Sequence, residues 1–353
     1  MRLIIIFLKN MGFSQEDLKS RLLTLLPFSS EEDWVIQPIL GGRNNLAFCV
    51  TSREKKYFLK YYNQNHQDGN KKLSAEFYFL TYAALICKSR YVAKPVACDS
   101  EHGLAVYEHI EGSRFDSSFK ITESEIKHTL QFIEEINRKQ FLCEAQNMQL
   151  AAEACFTLKD HIRVLDNRMT ALKAIEAHND VEHEAKEIID RQLIPLWEQE
   201  KKKIESSADF SSNFLLREEK IVSPSDFGFH NALYLENGDV KFVDFEYAGL
   251  DDPAKLVCDY FNQVEVPVPL KYFDFFSQSI AEMFDVSGNL VLRIKKLFLL
   301  YRIKWCCIIL NYFASSERRK KEFVGKVTEV NQALQLQKAK KILGSFTEVE
   351  FMG

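Results

Sequence analysis

The sequence predicts an α+β protein in two lobes, a small antiparallel sheet followed by a mainly helical remainder, on three observations. Up to about Gly112 the apolar residues recur mostly at the two-residue spacing of strands, with Gly-containing turns between runs. Beyond that point they recur at helical spacing almost to the end of the chain. One stretch, Lys220 to Glu246, interrupts the helices with short β-runs. The boundaries expected are therefore 1–112 for the first lobe and 113–353 for the second. A chain of 353 residues is longer than most single cores and suits this division.

The elements follow in order. Residues 14–26 repeat Leu at helical spacing behind Ser14, a good N-cap, and Pro27 ends them. From Trp34 the segments VIQPILGGRNNLAFCVTS and REKKYFLKYY predict a β-meander. Residues 70–88 predict a helix, and VAKPVACD and GLAVYEHIEG predict two more extended segments. Helices are expected over 121–138, over 146–178 with breaks, and over 180–206. The β-runs IVSPS, ALYLE and VKFVDFE come next, with a turn at Asn237-Gly238, and helices return from Pro253. The aromatic stretch 272–280 and the long apolar helix from Leu290 read as core.

Charge and cysteine usage narrow the class. Lys plus Arg number 46 against 50 Asp plus Glu, a net charge of -4, which gives no electrostatic reason to expect nucleic acid. The short basic run Arg318 to Lys321 is flanked by Glu317 and Glu322 and reads as a solvated helix face. Eight scattered cysteines, with no C-x-x-C pair, read as reduced thiols of a cytoplasmic protein. The apolar stretch Leu3 to Leu8 is too short to span a membrane, and Met11 is a second candidate start.

The chemistry concentrates in SPSDFGFHNALYLENGDVKFVDFEYAGLDDPAKLVCDY, residues 223–260. Asp226 precedes Asn231 by five residues, and a short hairpin then delivers Asp244 at the end of an apolar strand. Phosphoryl transfer needs a carboxylate that orients or deprotonates the attacking hydroxyl, together with carboxylate and amide oxygens that hold Mg²⁺ on a nucleotide. Asp226 fits the first role; Asn231 and Asp244 fit the second.

In these residues the chain resembles the aminoglycoside-phosphotransferase and choline-kinase family of the protein-kinase-like fold. Asp226 to Asn231 matches the catalytic loop, VDFE at 243–246 the metal loop, and DDPAK at 251–255 a D-P-A stretch. Two positions depart from the family pattern: Pro224 stands where the catalytic loop has His, and Leu256 where many relatives carry Asp. The resemblance implies a bilobal kinase-like fold, ATP or GTP as donor, Mg²⁺, and a small-molecule alcohol as acceptor, with no nucleic-acid or membrane partner. It assigns Gly41, Gly42 and Asn45 to a phosphate-approaching turn and Lys60 to the phosphates, steadied by Glu76. Lys60 is preferred to Lys56 for its apolar and aromatic neighbours. Backbone groups near Glu108 and Ile110 would meet the base.

The acceptor is expected to be a sugar or amino sugar, with an amino alcohol such as choline or ethanolamine, or an aminoglycoside, as the alternative. Asp251, Asp252 and Asp259 are candidates for holding a cationic substrate, although Asp252 before Pro253 reads first as a helix cap. A catalytically inactive nucleotide-binding pseudokinase is the alternative of another class, on the strength of Pro224. His230 is read as either a residue that reaches substrate or one that packs the loop, His109 as a surface residue, and His161, His178 and His183 as exposed.

Overall fold

The computed structural model describes residues 14–26, 34–39, 45–52, 55–63, 68–116, 118–211, 214–314 and 329–346. The apolar N-terminal stretch, the basic run from Arg318 and the glycines Gly41 and Gly42 lie outside these residues. Two compact units form, and neither is a single run of chain. One gathers Met1–Arg114, Glu135–Gln149 and Asn231–Ala248; the other gathers Phe115–Glu134, Leu150–His230 and Gly249–Gly353.

The first unit is built on five antiparallel strands, β1 (Trp34–Ile39), β2 (Leu46–Ser52), β3 (Lys55–Tyr61), β4 (Pro95–Asp99) and β5 (Leu104–Glu108), in the order β1-β2-β3-β5-β4. Leu46, Phe48 and Val50 alternate inward along β2, as a sheet with one buried face requires. Helix α1 (Gln15–Leu25) begins at Ser14, whose hydroxyl accepts from the Asp17 N–H while Asp17 returns a bond to the Ser14 N–H. Helix α2 (Gly69–Leu80) runs on into a wide π turn, Thr81–Ile86, and buries Leu73, Glu76, Phe79 and Leu80.

A second sheet of this unit pairs β6 (Ser113–Arg114), β8 (Ala232–Tyr234) and β9 (Val240–Phe242) in the order β6-β8-β9. The hairpin turns at Gly238, whose φ of +85° suits glycine, and the Asn237 side chain accepts from the Asp239 N–H. Periodicity places one boundary near Gly112, yet this hairpin belongs with the first unit. The β6–β8 ladder and a 2.7 Å bond from the Phe242 N–H to the Tyr91 carbonyl hold it there.

The second unit is mostly helical. In chain order the helices are α3 (Glu123–Ile136), whose last residues count with the first unit, then α4 (Leu142–Ala145), which lies in the first unit, and α5 (Leu158–Lys173), α6 (Asp180–Ile188), α7 (Ile194–Glu205), α8 (Pro253–Asn262), α9 (Phe273–Phe284), α10 (Leu290–Leu310) and α11 (Glu329–Gly344) in the second. Strands β7 (Ile221–Ser223) and β10 (Gly249–Asp251) pair antiparallel. The expected helix over 146–178 shortens to α5. A capping box between Thr157 and Asp160 fixes its start, and Ala151 to Cys155 instead form a loop tied to β10 through the Leu250 carbonyl and the Asp251 carboxylate. Pro195, which lacks an N–H, follows the wide turn Ile189–Leu193 between α6 and α7.

Every residue of α8 is buried. Its polar groups are met from α10: the Asn262 amide donates to the Phe298 carbonyl, and Lys304 and Trp305 donate to Asp259. Asp252 caps α8, accepting from the Ala254 N–H as the sequence led one to expect, and also receives Arg293 and His161. His161, read from sequence as exposed, is therefore a buried residue between Asp252 and the Tyr301 hydroxyl. Its partners lie 91 and 140 residues away, so nothing local announces them. His178 and His183 are exposed and His109 is half-buried.

Burial opposes the charge of Asp252, but Arg293 and the His161 bond outweigh it and bring its pKa down to about 2 from 3.8. A depressed carboxylate contributes stability that is present above its unfolded value and lost as pH falls through its folded one. We expect Asp252→Asn to retain the cap but to cost roughly 3 kcal/mol by leaving Arg293 without its charge. Urea unfolding at several pH values checks this. The gap between parent and variant should be full at pH 7 and shrink below pH 4.

Candidate active site

Lys60 projects from β3 on the face of the first sheet that carries Ala47, opposite the face of Leu46, Phe48 and Val50, and is buried there. Its cross-strand neighbours are Ala47 on β2 and Ala105 on β5, small residues that leave room for a long side chain. The ammonium donates to Glu76 Oε2 at 2.6 Å, and Glu76 comes from the buried face of α2. Tyr62, two residues along the same face of the chain, donates to that oxygen at 2.5 Å and lies 2.9 Å from the Tyr107 hydroxyl. Lys56 is exposed and pairs with Glu111.

The hairpin supplies two further carboxylates. The β8–β9 ladder ends with the Val243 N–H donating to the Asn231 carbonyl at 2.9 Å, which brings Asn231 and Asp244 to one end of the hairpin. There the chain leaves the strand, because Asp244 adopts φ +68°, a left-handed conformation that Asp tolerates better than most residues. VKFVDFE is thus strand only as far as Phe242. The bend turns the Asp244 carboxylate onto Lys60 Nζ at 2.5 Å, and Glu246 follows at 3.7 Å.

Glu246 is almost fully buried and receives the Asn45 amide together with Lys72 Nζ at 2.9 Å. Burial disfavours the Lys60 ammonium, yet Asp244, Glu76 and Glu246 together outweigh it and raise its pKa well above the ordinary lysine range. Glu76 is pushed the opposite way, upward, by burial and by Asp244 against the pull of Lys60. Ligand oxygens of Glu76, Asp244 and Glu246 lie within 4.8 Å of one another. This is a set of hard oxygen donors suited to a divalent cation such as Mg²⁺.

Asp226 lies in the second unit, on a bend made by Ser225 at φ +66°. Its neighbours Phe227 and Phe229 are buried against Tyr260, with Phe132 and Phe115 also in contact, which pins the loop and leaves the Asp226 side chain 40% exposed. His230 Nε2 lies 3.1 Å from Asp226 Oδ1. Gly228 cannot be replaced easily, since a Cβ there would come within 3.0 Å of the His230 ring. Asp251, Asp252 and Asp259 are buried and paired with Lys255, Arg293 and Lys304.

The structure thus gathers Lys60, Glu76, Asp244 and Asn45 in the first unit, with Asn231 beside Asp244 on the hairpin, whereas Gly41 and Gly42 lie outside the described residues. Glu108 ends β5, where its N–H donates to the Lys94 carbonyl and its carboxylate accepts from the Lys94 N–H, and Ile110 follows half-buried. Sequence reasoning missed Glu246, Lys72 and Tyr62. The first stands two residues after Asp244 in VDFE, and the second one helical turn before Glu76.

A small antiparallel sheet with a buried Lys–Glu pair, an Asn–Asp hairpin and a mainly helical remainder define a protein-kinase-like fold. Among solved structures, the chain is similar to a choline kinase of Streptococcus pneumoniae at TM-score 0.56 and 17% identity, covering 94% of this chain and 99% of that one. It is similar to a spectinomycin phosphotransferase, solved with ADP and spectinomycin, at TM-score 0.55 and 13% identity, over 92% and 98%. A third likeness is to an amicoumacin kinase in complex with AMP-PNP, Ca²⁺ and Ami, at TM-score 0.53 and 12% identity, over 95% and 94%. These are likenesses of fold. No family model matches the chain, and no curated protein matches its sequence.

Removing the Lys60 ammonium strands the carboxylates around it. Lys60→Met should lower the unfolding free energy by about 3 kcal/mol, the scale of a broken buried pair. Adding Glu76→Gln should recover part of that loss. A double-mutant cycle in urea measures the coupling, and additive losses would show that the pair contributes nothing.

Proposed function

We propose that this chain is a small-molecule kinase that transfers the γ-phosphoryl group of ATP to a hydroxyl of a sugar-like acceptor. The observation that carries the reading is the seat of Lys60, a buried ammonium within 2.6 Å of a helix carboxylate and 2.5 Å of the hairpin carboxylate Asp244. A nucleotide polyphosphate needs such a fixed cation beside oxygen ligands for its metal. Asp244 and Asn231, with Glu246 close by, would hold Mg²⁺, which when bound neutralises charge on the phosphates. By the sequence resemblance, Gly41, Gly42 and Asn45 would approach the phosphates, and the backbone from Glu108 to Ile110 would meet the base.

Asp226 orients the acceptor hydroxyl and takes its proton onto a carboxylate oxygen, with the His230 bond fixing the direction of that carboxylate. The reaction needs no covalent intermediate, so positioning and charge do most of the work. Adenine nucleotides accompany two of the similar structures, which favours ATP over GTP.

The acceptor follows from charge. A cationic amine needs an unbalanced carboxylate to receive it, and Asp251, Asp252 and Asp259 are each already paired with a buried cation. This favours a sugar hydroxyl over an amino alcohol such as choline or ethanolamine.

Phosphoryl transfer from ATP across a panel of sugars and amino alcohols tests the reading. Turnover confined to amino alcohols would reverse the acceptor assignment. No turnover with intact nucleotide binding would make the chain a pseudokinase. With an acceptor found, Asp226→Asn should lower kcat by ~10²-fold or more at unchanged nucleotide affinity. Asp244→Asn should lower the melting temperature, since Lys60 loses one of its three counter-charges, and should also raise the Mg²⁺ concentration needed for half-maximal nucleotide binding by roughly tenfold, because an amide is the weaker ligand.

A further inference from the structure

We propose that Lys72 is a second phosphate-binding ammonium of this site, resting on Glu246 until nucleotide arrives; the inference rests on the kinase reading above. Lys72 stands on α2 one turn before Glu76, so both side chains leave the same face of a rigid helix. Its Nζ donates to Glu246 Oε1 and to the Tyr247 hydroxyl, both at 2.9 Å, and lies 4.7 Å from the centre of the Tyr247 ring. The ammonium is thus held in one place. Its side chain nevertheless keeps 22% of its surface exposed, against 7% for Lys60 and 2% for Glu246.

Donors from three elements converge on the Glu246 carboxylate: Asn45 from the start of the β2 segment, Lys60 from β3 and Lys72 from α2. A carboxylate ringed by two ammonium groups and an amide occupies a seat whose chemistry equally fits a phosphate oxygen. Charge points the same way. Among the described residues, two ammonium groups face the three carboxylates Glu76, Asp244 and Glu246, so this set carries an excess negative charge. Without Lys72 that excess doubles, and a polyphosphate would meet repulsion that Lys60 alone does not offset.

Calorimetric titration of adenosine, AMP, ADP and ATP, each with Mg²⁺, into the parent, Lys72→Met and Lys72→Arg separates the possibilities. Lys72→Met should bind ATP and ADP roughly tenfold or more weakly, the scale of a lost charge-assisted hydrogen bond, with adenosine unchanged. Lys72→Arg keeps the charge and should recover most of the affinity, which also shows that the position tolerates replacement. Equal weakening for adenosine and ATP, or none for either, would overturn the proposal and leave Lys72 a structural partner of Glu246. A parent that binds no adenine nucleotide would overturn the kinase reading itself.

Discussion

A buried lysine is the constraint around which the first unit is organised. An ammonium removed from water is tolerated only with counter-charges at contact distance, and the Lys60 ammonium has three. Each partner demands something different of the chain. The flanking strands must carry alanines opposite Lys60, the helix must turn Glu76 rather than a neighbour toward the sheet, and the hairpin must break into a left-handed bend at Asp244. A one-residue slip in any of these would turn the wrong side chain inward. The charged cluster thus fixes register as well as chemistry, at a desolvation cost that the three carboxylates outweigh.

The second unit meets the same constraint with another solution. Helix α8 is buried along its whole length although it contains Lys255, Asp259 and Asn262. Each of these is answered by the β10 region or by α10, and Asp252 at its N-terminus is held by Arg293 and His161. These acids look in sequence like a substrate-binding patch. In the folded chain they hold a buried helix in place.

Features set by neighbours in sequence were legible before the structure was known. The strand alternation of β2, the Ser14 and Asp252 caps, the hairpin turn at Gly238 and the apolar setting of Lys60 all depend on residues within a few positions of one another. What failed to show depends on distant partners. Nothing in LKDHIRVLD says that His161 will be covered by Tyr301 and Asp252, and Lys72 reads as one more helix lysine until Glu246 is placed against it. Residues 146–156 carry enough apolar character for a helix, yet bonds to the Leu250 carbonyl and the Asp251 carboxylate hold part of them as a loop. No periodicity encodes that choice.

Pro224 is the sharpest departure from the pattern that the sequence resembles, and the loop after it is held by aromatic packing. A polar anchor beneath the loop has an apolar equivalent here: Phe227 and Phe229, alternating with Asp226 and Gly228, pack on the ring of Tyr260. That ring is itself stacked on Phe276 at 4.8 Å and bonded through its hydroxyl to Thr129. Aromatic packing of this kind holds a loop as firmly as one hydrogen bond does, and it carries no directional requirement on residue 224. His230, four residues after Asp226, then supplies the polar contact to the carboxylate from the other side of the loop. The loop is therefore held without a histidine at position 224, and Pro224 by itself gives no reason to read the site as inactive.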